Sequence, residues 1–176
     1  MRTTIIAALV LSALVLVCLA IGCGQRAVAV QEQNKALIVK LYEEGVNKHN
    51  PDAWNEVLTD DYVRHCQAMP PEARDIHGLE ELKVFLTETF AAFPDWHEEI
   101  GPMIAEGNYV AYVSMGAGTM SGPMGDIPPT DKMAECQMVI MQRFHEGKIA
   151  ETWITWDNVA FMTQLGLFPP PVPPKE

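Results

Sequence analysis

The chain has 176 residues and sets 23 acidic against 12 basic side chains, for a formal net charge of −11. Nucleic acids and anionic headgroups are held by clustered basic residues, so a surface of this sign excludes nucleic-acid binding. The length and a 48% hydrophobic content suit one domain with a real core and fall short of two.

Residues 1–22 read as a secretory signal. Arg2 is followed by an almost wholly apolar run from Ile5 to Gly22, and Leu19-Ala20-Ile21-Gly22-Cys23 has the pattern of a lipoprotein processing site. In that reading small Gly22 precedes Cys23, which carries the lipid. The run is also just long enough to span a bilayer as an uncleaved helix. Either way the folded part is tethered outside the cytoplasmic membrane, in the cell envelope. Gly24, rather than an aspartate, follows the cysteine, and in a Gram-negative cell the resemblance to sorted lipoproteins then implies the outer membrane or periplasmic side. Residues 23–33 would then be the lipidated cysteine and a spacer, 34–168 the folded domain and 169–176 a proline-rich tail.

Within the domain, Leu37, Ile38, Leu41, Tyr42 and Val46 recur at helical spacing, predicting an amphipathic helix over 34–48. Asn50-Pro51-Asp52 opens a second, short helix to residue 58, because Asn caps and Pro fits a first turn. A short strand follows over 62–65. The stripe Leu79, Leu82, Phe85, Leu86 and Phe90 predicts a helix over 78–93, stopped by Pro94. Four strands are expected near 96–105, 109–115, 133–144 and 149–156, with turn chemistry at Gly107-Asn108 and Glu146-Gly147 and a Gly/Pro-rich loop over 116–129. A last helix spans 158–165 and closes at Gly166. Helices followed by a strand-rich half predict an α+β domain with helices on one face of a sheet.

Cys18 lies in the signal, so Cys66 and Cys136 are left either to pair in an oxidising compartment or to stand as two separate thiols. Neither has zinc-type spacing to a histidine, and His49, His65, His77, His97 and His145 are scattered. No metal site and no cofactor is expected. Met115, Met120, Met124, Met138 and Met141 read as packing residues before they read as soft-metal ligands.

Five segments, in order, carry a resemblance: Asp61-Tyr62-Val63-Arg64-His65, Ala92-Phe93-Pro94-Asp95, Ile127-Pro128-Pro129-Thr130, Gly147-Lys148-Ile149 and Gln164-Leu165-Gly166. With the element order, they resemble the SnoaL-like polyketide (ester) cyclases of the NTF2-like group. The resemblance implies an NTF2-like cone: a curved antiparallel sheet with helices packed on its concave face. It also implies a catalytic aspartate inside the cone on the last strand, and the count from Gly147 forward and from Gly166 back places that position on Ile154.

Strand alternation puts Thr152 and Trp156 beside Ile154 and turns Glu151, Trp153 and Thr155 away. Positions at which such cyclases present polar groups fall on Met138 and Ile140. An apolar cone for a small hydrophobic molecule follows, with Trp54 and Tyr62 as further wall residues or as plain core. Two groups are candidates to replace the acid. His65 stands where relatives keep a histidine turned into the cone, and serves as a base there or as a rim hydrogen-bonding group. Asp157 is a catalytic acid or the cap of the last helix. Trp153, on the outer face, points to a homodimer contact or to cover by the chain's own terminus. The loss of the acid favours a membrane-anchored binding module over an ester cyclase or isomerase that uses His65 as replacement base, with a non-catalytic assembly scaffold as the second alternative.

Overall fold

The computed structural model describes residues 24–169. The signal, Cys23 and residues 170–176 of the tail lie outside the described residues. Helix α1 runs over 24–41 and ends in a wider turn at Tyr42–Val46. It starts earlier than the apolar stripe predicts: residues 24–30 are helical yet exposed, whereas Asn34, Ile38, Leu41 and Tyr42 are buried at helical spacing. A tight helical turn follows at Pro51–Glu56, with the Asn50 side chain accepting from the Asp52 amide.

Six strands form one sheet: β1 (Leu58–Cys66), β2 (Asp75–His77), β3 (His97–Glu106), β4 (Tyr109–Thr119), β5 (Met133–His145) and β6 (Lys148–Trp156). Helix α2 (Leu79–Ala92) separates β2 from β3, and α3 (Asn158–Gln164) ends the domain. The strand order is β2-β1-β6-β5-β4-β3. Strands β3 to β6 are a meander of hairpins turning at Gly107 and Gly147, both with positive φ. β1 pairs parallel to β6, so the sheet is mixed where an antiparallel one was expected. These two strands are joined by no hairpin, and the helices and meander between them return the chain to the same end. Register shifts in the β1–β6, β3–β4 and β5–β6 pairs mark the bulges that curve the sheet.

Two strand boundaries and one short strand differ from expectation. β1 begins at Leu58 rather than 62, and β4 continues to Thr119, four residues into the predicted loop. The three-residue β2 has too little pattern to read. β4 extends because Gly116 and Gly118 are strand residues: Trp96 lies against both, leaving no room for a Cβ. Cys66 and Cys136 are both free thiols. Register explains it, since Cys66 is level with Ile154 and Ile140, two β5 positions on the same face beyond which comes Cys136.

Candidate functional site

The concave face of the sheet, α1, the Pro51–Glu56 turn, α2 and Phe161 of α3 enclose a cavity of about 430 Å³. Registered rows of inward side chains make its floor. Arg64, Thr152 and Gln142 form one row across β1, β6 and β5; Ile154, Ile140 and Tyr112 form the next; Trp156, Met138 and Ser114 the third. Trp54, Leu82, Phe90 and Phe93 close it from the helical side. The exposed lining residues Glu88 and Gly125 mark its mouth.

All seven residues expected to line a cone do line it: Trp54, Tyr62, Met138, Ile140, Thr152, Ile154 and Trp156. The two acid–base candidates do not. His65 alternates with Arg64 and so stands on the outer face, stacked on Trp153 at 5.5 Å between ring centroids. There Nδ1 lies 2.8 Å from Asp75 Oδ1 and Nε2 lies 2.9 Å from Glu151 Oε1. Carboxylates only accept, so this geometry calls for both ring nitrogens to donate, which is the imidazolium. Burial pulls the His65 pKa down, but the bonds to Glu151 and Asp75 outweigh it and leave it raised. Glu151 also accepts from Arg143 Nε at 2.9 Å. Asp157 lies outside the cavity wall, its Oδ1 accepting from the Ala160 amide at 2.9 Å as the cap of α3.

Polar groups that sequence reasoning missed occupy both ends of the cavity. At one end Glu98 accepts from Trp96 Nε1 at 2.8 Å and from Ser114 Oγ at 3.1 Å. Burial raises its pKa against the lowering effect of these bonds. The Tyr42 hydroxyl donates to Tyr112 Oη at 3.3 Å, and burial holds both phenols above their ordinary range. Tyr42 reaches inward from the widened turn that ends α1, a distortion that re-aims side chains. Cys136 also faces the cavity, its thiol pushed up to about 12 by burial and then by Glu98. At the other end Arg64 is buried with Tyr62, whose phenol burial pushes up to about 12. Alternation was the signal available: Trp96, Glu98 and Ile100 share one face, as do Tyr62, Arg64 and Cys66.

A curved sheet wrapped on helices around one apolar, polar-tipped cavity defines a cone-shaped α+β ligand-binding or enzyme scaffold of NTF2-like fold. The profile of the SnoaL-like polyketide cyclases matches residues 36–165, and the chain belongs to that family. Among solved structures, a candidate SnoaL-like polyketide cyclase from Jannaschia sp. CCS1 is 22% identical, with a TM-score of 0.70 over 80% of this chain and 96% of that one. IdmH of Streptomyces antibioticus, a candidate polyketide cyclase, is 29% identical, with a TM-score of 0.65 over 77% and 99%. A protein from Catenulispora acidiphila with a ketosteroid isomerase-like fold, solved with trimethylamine, is similar in fold at 16% identity and TM-score 0.62 over 74% and 92%. Curated proteins give no match to the sequence.

Proposed function

We propose that this is a lipid-anchored SnoaL-like domain that binds a small hydrophobic molecule, polyketide- or steroid-like in shape, in its cone, with the family's catalytic acid replaced by Ile154. The observation that carries the reading is the row Ile154–Ile140, flanked by Met138 and Trp156, in the middle of the cavity floor. An isoleucine moves no proton, whereas apolar walls with a few polar groups suit an apolar ligand. Native mass spectrometry of residues 25–176, purified from host envelope or medium without detergent, tests it. A discrete extra mass that leaves on denaturation, and that Ile154→Arg abolishes in a folded protein, is expected. A bare mass that stays bare after incubation with host lipid extract refutes it. The anchor on Cys23, outside the cytoplasmic membrane, is tested by palmitate labelling that Cys23→Ser should remove. Among the described residues no helix is long and apolar enough to cross a membrane.

One observation favours a second reading, isomerase or cyclase chemistry. Glu98 is a carboxyl inside the cavity with a raised pKa, beside Ser114 and the Tyr42–Tyr112 pair. Deuterium uptake from heavy water next to a carbonyl of the bound molecule, lost in Glu98→Gln with the molecule still retained, is the expected signature. His65 as the base has no geometric support, because its ring faces the outer surface. That outer face also supports a homodimer contact, since Trp153 is level with Met141, Ala111 and Ile104, and Ile104, Val139 and Met141 are exposed.

A further inference from the structure

The Arg64–Thr152–Gln142 row is a polar strip at one end of the cavity, separated from the Glu98 end by the apolar Ile154–Ile140 row. Arg64 is 7% exposed. Among the described residues it takes part in no ion pair, and its Nη1 is buried without a hydrogen-bond partner. Its guanidinium lies over the Phe85 ring at 4.8 Å, which supports a cation's face and leaves its in-plane N–H groups free. Level with it, the Gln142 amide touches Thr152 Oγ1 at 3.4 Å through Nε2, and its Oε1 is buried without a partner. Rotation of the amide exchanges its oxygen and nitrogen, so turning it over would set Oε1 against Thr152 and present the NH₂ to the cavity. Neither cavity carboxyl answers the cation. Glu98 is engaged by Trp96 and Ser114 two rows away, roughly 13 Å along β5, and Glu88 sits at the mouth out of ion-pair reach.

A buried guanidinium with no counter-charge is costly to fold, and an apolar cavity opening on it has a place for the missing anion. We propose that this row is the anchoring site for the carboxylate of the bound molecule, which makes the ligand a small carboxylic acid with an apolar body. The inference rests on the reading of the cone as a ligand pocket. One planar fork beside one amide fits two coplanar oxygens of a single charge; a phosphate would call for further donors. The acid's body then lies along Ile154 and Ile140, and its far end reaches toward Glu98 and Tyr42.

The test compares two molecules of one shape, 4-phenylbutyrate and 4-phenylbutan-1-ol, by isothermal titration of the full chain at pH 7 and of its Arg64→Met variant. Wild type should bind the acid about tenfold more tightly than the alcohol, and R64M should lose that preference while keeping the alcohol's affinity. Removing an unpaired buried charge should also raise the melting temperature of R64M, whereas a structural role for Arg64 would lower it. Equal affinities in wild type, or an acid preference that survives in R64M, overturn the anchor and leave the apolar pocket standing. Failure of both molecules to bind any variant overturns the anchor and the pocket together.

Discussion

Gly116→Ala sets two effects of opposite sign against each other. Glycine inside a strand or helix costs roughly 0.5–1 kcal/mol relative to alanine, so backbone propensity alone predicts a more stable variant. The site says otherwise. A Cβ at Gly116 falls into the Trp96 indole, with Cη2 at 3.0 Å, and meets Met138 Cε at 3.0 Å. Trp96 has little room to retreat, packed edge-on to Phe93 at 5.7 Å and to Phe161 at 6.2 Å. Overpacking costs about 1–3 kcal/mol. Displacing the indole also breaks its bond to Glu98, and hydrogen bonds to charged groups contribute about 1.5–3 kcal/mol. The net expectation is a loss of between about 2 and 5 kcal/mol, read by urea unfolding followed by tryptophan fluorescence and far-ultraviolet circular dichroism. Trp96→Leu in the same background should recover part of that loss, giving an interaction energy of at least about 1 kcal/mol in the double-mutant cycle. A G116A protein as stable as wild type, or strictly additive substitutions, would falsify the packing account.

Glu98→Gln should stabilise the domain at neutral pH. Its folded pKa is raised, so ionisation opposes folding, and the penalty appears as pH rises from the unfolded carboxyl value toward the folded one. The gain of E98Q over wild type should therefore vanish near pH 4, and a gain constant with pH would be against it. His65→Ala should cost most below the unfolded histidine value and least above the folded one, because the folded pKa is raised. Melting curves at pH 5.5 and 8.5 compare the two, and ligand retention should not change, since the ring is on the outer face. Asp157→Ala should cost about 1 kcal/mol through the lost cap of α3, again with the cavity ligand retained; lost retention would put Asp157 at the site. Cys136 should react slowly with maleimide at pH 8, its thiol being held high, and more slowly still with ligand bound. Ligand-independent labelling would mean the occupied cavity does not reach it.

Long periodic segments were legible in the sequence. The stripe of α2, the stop at Pro94 and the four-strand meander need only local alternation and turn residues, and each lies within a residue or two of expectation apart from the end of β4. β2 was not legible, because three residues show no period and its pairing with β1 is tertiary. On the site, Thr152, Ile154 and Trp156 came from strict alternation on β6. On β1 the same rule conflicts with the resemblance: Tyr62 and His65 are three apart, so both cannot face one side. Keeping the rule puts Arg64 inside with Tyr62 and turns His65 out beside Trp153. Glu98 was hidden by composition, since in His97-Glu98-Glu99 a polar run looks solvated, and only its alternation with Trp96 and Ile100 marks it.

Because the strand period is two, Ile154 and Trp153 are covalent neighbours that belong to different surfaces. The charged residues of the outer face, His65, Asp75, Glu151 and Arg143, satisfy one another and sit against solvent. Their pairing contributes little and is screened. The inner face carries fewer charged groups in a drier place, and there the arrangement is uneven: Glu98 has two donors, while Arg64 and Gln142 keep unpartnered atoms. A fold that only needed a core would have placed apolar side chains at both positions, as it does at Ile154 and Ile140 between them. The unevenness therefore reads as a direction laid along the cavity, apolar in the middle, cationic at one end and acidic at the other. A ligand with one charged and one neutral end would enter in a single orientation, and reversing the two ends with Arg64→Glu and Glu98→Gln should reverse its preference from carboxylates to amines, as measured by titration with 4-phenylbutyrate and 4-phenylbutylamine.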